Sequence, residues 1–329
     1  MTKGAETRSV YIVGAGQLGS RHLQALKAVG LPLSITVVDP SEASLRTARE
    51  RYEGIPSVQT HAVRYLTEVP ASFEPIDVAI IPSNSNVRRM IVEKLLSRGT
   101  VRSMVLEKLL FDQKDDYAEV RDLFSKNGVR AWVNCSMRTM PLYAGLRTLF
   151  QGTPFTYMVT GSQFGLVTNA IHYIDHMAFL SGGSRFSLDT SMLHHPPIES
   201  KRKGFLEING TLTVRFENGC AGVFTCFPDG DLPVMIEIAS AVTRLISREW
   251  ERKAWIAKSG EGWAWQEVEA AIPYQSQMTA LVVGDLLTRG ACDLVPYEES
   301  MQLHLQMLEP LREFLEARGG GKQEHYPFT

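Results

Sequence analysis

The sequence lacks the features that mark membrane, secreted and nucleic-acid-binding proteins. No window approaches the run of about eighteen apolar residues that spans a bilayer. Residues 1–9 are polar, and glycines interrupt the apolar stretch that follows, so no signal peptide is predicted. The net charge is −2, without a long run of one sign. We therefore expect neither a nucleic-acid partner nor a membrane partner.

Cysteine is scarce, and the few thiols are scattered without the spacing of a metal site; they are Cys135, Cys220, Cys226 and Cys292. This usage predicts reduced thiols in a reducing compartment, and hence a cytoplasmic protein. His194 and His195 precede two prolines, but no third ligand lies at a sensible spacing. We expect a proline-stiffened loop there and no metal site.

A chain of 329 residues is long enough for two domains. Residues 1–135 alternate short β-branched runs with amphipathic helical stretches, which predicts an α/β Rossmann domain with a doubly wound parallel sheet. The predicted strands are Val10–Val13, Ile35–Val38, Val78–Ile81, Met104–Leu106 and Ala131–Val133.

The alternation of strands and helices ends in residues 136–317. We expect these residues to form an α+β domain with a large, mostly antiparallel, open-faced sheet. A helix over Asn169–Leu180 precedes long alternating strands, and Glu217-Asn218-Gly219 predicts a hairpin turn. Helices are predicted over Gln275–Thr288 and Glu298–Ala317. Residues 318–329 begin with a run of glycines and are predicted to be a mobile tail.

A glycine motif lies between the first predicted strand and helix. Gly14, Gly16 and Gly19 match G-x-G-x-x-G in the strand–turn–helix context that dinucleotide binding requires. Gly14 suits the tight turn, Gly16 a close approach to a pyrophosphate, and Gly19 close helix–strand packing. Gln17 and Leu18 complete the predicted phosphate loop. The alternative is a glycine-rich turn without a ligand.

Asp39 ends the second predicted strand, where a carboxylate would accept hydrogen bonds from the ribose hydroxyls. No basic residue follows it directly, since Pro40 and Ser41 come next, so the sequence favours NAD over NADP. Arg46 leaves NADP open, and the alternative role for Asp39 is a helix cap.

Two further pairs follow the carboxyl ends of predicted strands, where ligands bind in open parallel sheets. Ser83 and Asn84 are expected to contact the cofactor, although a plain turn would use the same residues. Glu107 and Lys108 end another strand. A lysine there can point into the crevice, but a surface charge pair explains it equally well.

A polar stripe lies on the predicted helix of the second domain. Asn169, His172 and His176 are spaced by three and four residues and share one face, with Thr168 and Asp175 flanking them. A histidine that titrates near neutral pH can exchange a proton with a hydroxyl while hydride moves to or from nicotinamide. The alternative is a histidine packed in the core.

Together these residues resemble the Gfo/Idh/MocA family of oxidoreductases over nearly the whole chain. The matching positions, in family order, are Gly14, Gly16, Gly19, His22, Asp39, Ile80–Asn84, Glu107, Lys108, Arg138, Pro141, His172, Asp175 and Gly182. The resemblance implies that Lys108 hydrogen-bonds the reacting oxygen and that His172 is the acid/base.

The resemblance also implies further site residues and partners. Substrate contacts are expected from Thr168, Asn169, Asp175 and Arg138. The cofactor is expected to contact Gly14, Gly16, Gln17, Leu18, Gly19, Asp39, Ser83, Asn84 and Glu107. The open-faced sheet implies a homodimer or homotetramer, and the substrate is expected to be a sugar, a nucleotide-linked sugar or a cyclic polyol.

This sequence departs from the family pattern in several places. Leu109 replaces the motif proline, so the usual cis turn is not expected. Thr168, with Asn169 beside it, replaces the carboxylate that precedes the histidine by four residues, and Arg88 replaces a histidine. The variant motif Glu107–Phe111 and the later Trp132–Cys135 are more similar to members from surface-polysaccharide sugar pathways.

The resulting hypothesis is an NAD(P)-dependent oxidoreductase that transfers hydride between nicotinamide and a hydroxyl or ketone carbon of a sugar or polyol. Two alternatives stay open at this point. One is a reductase of a non-sugar carbonyl or imine. The other is a non-catalytic NAD-binding regulatory protein, which the loss of a carboxylate at Thr168 makes plausible.

Overall fold

The computed structural model describes residues 6–56 and 61–329 and divides into two compact units. The first contains the described residues up to Phe111, Asp115–Asn134 and Pro273–Tyr297. The second contains Asp112–Lys114, Cys135–Ile272 and Glu298–Thr329.

The first 133 positions contribute alternating strands and helices, as the sequence predicts. They are β1 (Arg8–Val13), α1 (Gln17–Leu26), β2 (Leu33–Val38), α2 (Glu42–Glu53), β3 (Ala62–Leu66), β4 (Ile76–Ile81), α3 (Ser85–Leu96), β5 (Val101–Leu106), α4 (Lys114–Asn127) and β6 (Arg130–Val133). Strand β3 was not predicted, because only part of its AVRYL sequence is apolar.

The second unit begins with a 3₁₀ turn at Ser136–Thr139 and carries most of the remaining elements. They are α5 (Pro141–Gly145), α6 (Arg147–Phe150), β7 (Phe155–Ser162), α7 (Leu166–Ser181), β8 (Phe186–Leu193), β9 (Ile198–Glu199), β10 (Leu206–Glu207), β11 (Gly210–Phe216), β12 (Ala221–Phe227), β13 (Met235–Ser240), β14 (Thr243–Arg248), β15 (Lys253–Lys258) and β16 (Gln266–Glu269). The chain ends with α8 (Gln275–Arg289), β17 (Val295–Pro296) and α9 (Tyr297–Leu315).

The sheet of the first unit has the strand order β17-β6-β5-β4-β1-β2-β3, and every pair is parallel except β17 with β6. This is the doubly wound Rossmann order with one antiparallel edge strand. The central strands β1 and β4 are almost entirely apolar because helices cover both faces. The order places the carboxyl ends of β1, β2, β4 and β5 along one edge, where the predicted cofactor residues lie.

The second unit contains an eight-stranded sheet in the order β16-β15-β14-β13-β7-β12-β11-β8. All pairs are antiparallel except β7 with β12, so the predicted, mostly antiparallel sheet is confirmed. The predicted hairpin is β11–β12, with Gly219 at φ +88° in its turn. One face, including Tyr157, Val159 and Phe224, is fully buried, and α7 packs against it.

The domain boundaries differ from the prediction at the C-terminal helices. Helix α8 was assigned to the second domain, but it belongs to the first unit. There it packs on α1: Thr279 Oγ1 lies 2.8 Å from His22 Nδ1, and Val283 and Leu286 join the apolar core with Leu23. Apolar periodicity identifies a helix but not the surface that its apolar face covers.

The expectation of a mobile tail is also wrong for residues after the glycines. Tyr326 and Phe328 are buried. The Tyr326 amide donates to the Asp112 carbonyl at 2.6 Å, and the Leu206 amide donates to the Pro327 carbonyl at 2.7 Å. Burial of two aromatic rings compensates for the conformational entropy of the glycine run before them.

Candidate active site

The glycine loop between β1 and α1 has the geometry of a phosphate-binding turn. Gly14 adopts φ +119°, which favours glycine, and its amide donates to the Val38 carbonyl at 2.8 Å. A Cβ on Gly19 would lie 1.9 Å from the Gly14 carbonyl oxygen, so only glycine fits. A Cβ on Gly16 would meet nothing within 4 Å. The loop therefore packs tightly against the protein on one side and leaves open space at Gly16.

The open space at Gly16 fits an anionic group. Helix α1 begins at Gln17, and no side chain caps its N-terminus. Gly16 and Gln17 are exposed, and Leu18 is half-buried. The first amides of a helix have no partners within the helix and stabilise negative charge. These residues therefore fit the pyrophosphate of a dinucleotide.

Asp39 is held against this loop from the end of β2. Its Oδ2 accepts from the Ala15 amide at 2.6 Å, and its Oδ1 accepts from the Ser41 amide at 2.8 Å. Ser41, and not Asp39, caps α2 by accepting from the Ser44 amide at 3.2 Å. Asp39 is half-buried, so its carboxylate remains accessible beside the glycine loop. Arg46 instead lies 3.7 Å from Glu42 on the exposed face of α2.

Ser83 and Asn84 follow β4, next to the glycine loop. The Ser83 amide nitrogen would lie 3.3 Å from a Cβ built on Gly14, and the Ser83 hydroxyl has no hydrogen-bond partner among the described residues. Asn84 is exposed and precedes the first turn of α3. The structure thus brings these residues to the same sheet edge as Gly14.

Glu107 lies inside a buried polar network of the first unit. Its carboxylate lies 3.1 Å from His22 Nε2 and accepts from the side-chain amide of Asn134. The same Asn134 Nδ2 donates to Gln275 Oε1 at 3.0 Å. Glu107 is only 4% exposed. We therefore interpret Glu107 as a structural residue that, through Asn134, connects the ends of β5 and β6 to α8. The sequence predicted a cofactor contact for it.

Lys108, one residue later, is half-buried at the carboxyl edge of the sheet. The Lys108–Leu109 peptide bond is cis, so the expectation that this turn would be lost with the motif proline is wrong. Leu109 and Leu110 are buried, and the fully buried Arg88 donates to both of their carbonyls and to that of Ser83. Arg88 thereby links the lysine turn to the Ser83 turn.

Helix α7 carries the predicted polar stripe. Thr168, Asn169 and His172 are half-buried, whereas most other residues of the helix are buried. The side-chain amide of Asn169 donates to the Phe164 and Gly165 carbonyls, and these bonds close the N-terminal turn. His172 therefore belongs to the accessible face of α7.

His176 lies on the buried face of the same helix, in the core. Its Nδ1 is 3.0 Å from the Tyr157 hydroxyl, and its Nε2 is 3.2 Å from the Tyr143 carbonyl. Burial lowers its pKa to about 4, so the ring is neutral at physiological pH.

Arg138 and Asp175 are brought together away from the accessible stripe. The Arg138 guanidinium donates to Asp175 Oδ1 at 2.7 Å and to Glu299 at 2.9 Å. Asp175 is completely buried. Burial raises the pKa of Asp175, and Arg138 opposes that rise. Because these groups satisfy each other, we interpret the pair as structural, although the sequence predicted substrate contacts.

A cavity of about 460 Å³ opens in the second unit beside the N-terminus of α7. Its polar lining residues are Gln163, Thr168, Asn169, Glu199, Ser200, Lys201, Arg202, Glu207, Asn209 and Thr329. Glu207 and Asn209 are buried yet reach the cavity wall. The sequence analysis missed both. The available signal was an acidic residue inside the apolar strand pattern around Leu206 and Ile208.

No cluster of three or more His, Cys, Asp or Glu side chains within residues 6–56 and 61–329 could hold a metal ion. In the same part of the chain, no helix is long and apolar enough to cross a membrane. None of the four cysteines is in a disulfide; Cys292 is partly exposed and the other three are buried.

The glycine loop, its open helix N-terminus and Asp39 define a dinucleotide-binding domain. Residues 8–135 match the family model described as an oxidoreductase family with an NAD-binding Rossmann fold, the Gfo/Idh/MocA family. The predicted resemblance is thereby confirmed over residues 8–135, which have the NAD-binding Rossmann fold of that family. No curated protein sequence matches the chain.

Solved structures share the fold at low sequence identity. An Agrobacterium radiobacter oxidoreductase in complex with NAD⁺, L-tartaric acid and magnesium is 13% identical with a TM-score of 0.72, covering 95% of this chain and 97% of that chain. UDP-N-acetylglucosamine 3-dehydrogenase from Acidithiobacillus ferrooxidans is 13% identical with a TM-score of 0.71, covering 92% and 96%. A mutant 3-ketoreductase from Actinomadura kijaniata, in complex with TDP-benzene and NADP, is 13% identical with a TM-score of 0.67, covering 92% and 96%.

Proposed function

We propose that the protein is an NAD-dependent dehydrogenase or reductase that interconverts a hydroxyl and a ketone on a sugar, a nucleotide-linked sugar or a cyclic polyol. The observation that carries the proposal is the polar cavity beside the accessible stripe of α7, in a chain whose first domain binds NAD. A polyhydroxylated ligand needs many closely spaced hydrogen-bond partners, and this cavity offers amides, hydroxyls and two carboxylates.

The chemistry of the cavity wall supports this substrate class. Asn169 and Asn209 supply amide groups, and Glu207 supplies a buried acceptor. Lys201 and Arg202 lie at the exposed side, where they can bind an anionic substituent such as a phosphate. Among the structural neighbours, one dehydrogenase is named for UDP-N-acetylglucosamine, and the ketoreductase is in complex with TDP-benzene, which is consistent with this proposal.

In the proposed reaction each residue has a separate role. NAD, when bound along the glycine loop, supplies the hydride acceptor or donor. In the oxidative direction the Lys108 ammonium donates a hydrogen bond to the reacting oxygen. His172 takes the hydroxyl proton while the hydride leaves the carbon that bears this hydroxyl. A ketone and a protonated imidazole remain. Reduction reverses each transfer.

Asp39 supports NAD rather than NADP as the preferred cofactor. Two backbone amides hold its carboxylate beside the loop, and a fixed negative charge there repels a 2′-phosphate. Arg46 is engaged with Glu42, so the basic residue that left NADP open has another partner.

The exposed face of the eight-stranded sheet supports a homo-oligomer. Met158 on β7 and Met235 on β13 are 45% and 41% exposed and flank Glu237 on this face. Exposed methionine side chains on a sheet face are typical of a surface buried by a second copy. Met158→Glu should dissociate the oligomer in light scattering, whereas Met90→Glu, at an exposed position on α3, should not. An unchanged mass for Met158→Glu would contradict this assembly.

Cysteines that form no disulfide support a cytoplasmic location for this enzyme. Cys135, Cys220 and Cys226 are buried, and burial raises the pKa of Cys220 and Cys226, which keeps them protonated and unreactive.

Variants of the two proposed catalytic residues test the reaction. Lys108→Ala and His172→Ala should each reduce turnover by about 10²-fold or more while leaving NADH binding unchanged. Normal turnover by Lys108→Ala would refute the mechanism. Turnover restricted to imines or non-sugar carbonyls would favour the alternative reductase, and tight NADH binding without turnover would favour a regulatory protein.

A further inference from the structure

One buried side chain on the wall of the cavity has no partner in the described part of the protein. Asn209, which follows β10, lines the cavity and is only 7% exposed. Its backbone carbonyl accepts from the His194 amide at 2.9 Å, but its side-chain amide makes no hydrogen bond to any residue that the structure describes. A buried amide without a partner is destabilising. Its position on a cavity wall therefore indicates that it binds a ligand.

The neighbouring Glu207 is different, because the protein itself uses its carboxylate. Its Oε1 accepts from the Val167 amide at 2.7 Å and from the Ile208 amide at 3.0 Å. Its Oε2 accepts from the Thr168 hydroxyl at 2.6 Å and from the Thr168 amide at 3.2 Å. Glu207 thus holds the cavity wall against the N-terminus of α7, and the Asn209 amide stays available beside it.

The outer end of the cavity is a basic turn between β9 and β10. The Arg202 amide donates to the Ser200 hydroxyl at 3.2 Å, which stabilises the turn. Lys201, Arg202 and Lys203 follow one another there and are exposed. Lys201 and Arg202 belong to the cavity lining together with the exposed Glu199, so cations outnumber the exposed carboxylate at this end.

We infer that the substrate of this cavity is a phosphorylated sugar or polyol, whose phosphate binds Lys201 and Arg202 and whose hydroxyls bind Asn209. The inference rests on the proposed function and narrows its substrate class to compounds that carry a phosphate. An amide side chain both donates and accepts hydrogen bonds, as a sugar hydroxyl does. Lysine and arginine at the outer end form charge-assisted hydrogen bonds to phosphate oxygens. Asn209 is thereby a specificity-determining residue.

Isothermal titration calorimetry on the NADH-saturated protein tests the inference without turnover, because NADH cannot oxidise a hydroxyl. The probes are phosphate monoesters of glucose and inositol, and UDP-glucose, each compared with the free sugar or inositol. We expect at least one phosphorylated probe to bind about tenfold or more tightly than its neutral counterpart. A preference for UDP-glucose alone would identify a nucleoside diphosphate as the source of the phosphate. Equal affinities within every pair would overturn the inference.

Variants of the basic turn locate the phosphate. The double variant Lys201→Gln, Arg202→Gln should remove most of the preference for phosphorylated probes and leave the affinity for neutral probes unchanged. Lys203→Gln is the matched control, since it removes the next charge of the same turn, outside the cavity lining. It should retain the preference. An equal loss in Lys203→Gln would reveal a general effect of charge and contradict the site.

Asn209→Leu tests the buried end of the cavity with two measurements. The affinity for the phosphorylated probes should fall about tenfold, because a substrate hydroxyl loses its partner. The midpoint of urea denaturation should stay the same or rise, since the replaced amide has no protein partner to lose. Asn134→Leu, which breaks hydrogen bonds to Glu107 and Gln275, should instead lower the midpoint. A lower midpoint with unchanged affinity in Asn209→Leu would mean that Asn209 is structural and that the inference is wrong.

The failure of this inference and the failure of the proposed function give different results. Preferential binding of a phosphorylated probe without turnover of any sugar or polyol would overturn the proposed function alone. Turnover of neutral sugars, without a preference for any phosphorylated probe, would overturn the narrower substrate class alone.

Discussion

Arg138 and Asp175 form a bidentate ion pair inside the second unit, with Nε–Oδ2 and Nη2–Oδ1 distances of 2.9 and 2.7 Å. The pair joins the 3₁₀ turn after the Rossmann strands to the middle of α7. Their side chains are 7% and 0% exposed, so neither charge has water as an alternative partner. The position of α7, and with it that of His172, therefore depends on this contact.

Asp175→Asn should lower the free energy of unfolding by about 3–5 kcal/mol, because it leaves the Arg138 charge buried with one fewer partner. Urea denaturation measures the change. Glu299→Gln is the control: its side chain is 39% exposed, and it should cost less than about 1 kcal/mol. Equal effects of the two variants would contradict a structural role for the buried pair.

The buried His176 predicts a pH dependence of stability. In the folded protein burial lowers its pKa to about 4 from its ordinary value of 6.5. The unfolded chain therefore binds the proton first, and the stabilisation is present above about pH 6.5 and lost as the pH falls through about 4. The loss amounts to about 3 kcal/mol over this range.

Urea denaturation at several pH values measures this dependence, with His176→Gln as the comparison. Glutamine can still donate and accept hydrogen bonds but does not titrate in this range. The variant should therefore lose less stability than the wild type on acidification. Parallel pH curves for the two proteins would show that His176 is not the responsible group.

Asp39→Asn should weaken NADH binding by about tenfold and improve NADPH binding, because it removes a charge that accepts ribose hydrogen bonds and repels a 2′-phosphate. Fluorescence titration with both cofactors measures the change. Glu50→Gln removes an exposed charge further along α2, and it should leave both affinities unchanged. An unaltered cofactor preference in Asp39→Asn would exclude the assigned role.

Glu309 anchors the C-terminal residues. It accepts from the Tyr326 hydroxyl, from Lys114 Nζ at 2.9 Å and from Arg312 Nη2 at 3.2 Å. Burial alone would raise its pKa, but these hydrogen bonds lower it to about 2. The stabilisation should therefore be present above about pH 4.5 and lost as the pH falls toward 2.

Glu309→Gln should increase hydrogen exchange in residues 322–329 at neutral pH, since it removes the charge that holds Tyr326. Glu313→Gln, on the exposed face of the same helix, is the matched control. Equal exchange in the two variants would mean that the buried aromatic rings hold these residues without Glu309.

The Rossmann half of the fold was predictable because its determinants are local. Gly14, Gly16 and Gly19 act within one turn, and Asp39 reaches the same loop because parallel strands end at one edge. The determinants that the sequence analysis missed act over long distances along the chain. Glu207 contacts a helix about 40 residues earlier, and α8 packs on α1 through His22 and Thr279, which are 257 residues apart.

The interpretation of Asp175 changed for a similar reason. Asp175 and His172 share the spacing of a motif, but only the structure shows that Asp175 faces the core and His172 the accessible side of α7.

Strand β8 was not predicted, because its sequence, FSLDTSML, has little apolar alternation. Only its pairing with β11 identifies it as a strand.

The central claim is NAD-dependent hydride transfer on a polyhydroxylated substrate. The most direct measurement is the absorbance of the nicotinamide band when the wild-type protein and NAD or NADH are mixed with free sugars, inositols and UDP-, GDP- and CMP-linked sugars. We expect turnover with one of these classes and its loss in Lys108→Ala. NADH binding without turnover on any of them would contradict the claim.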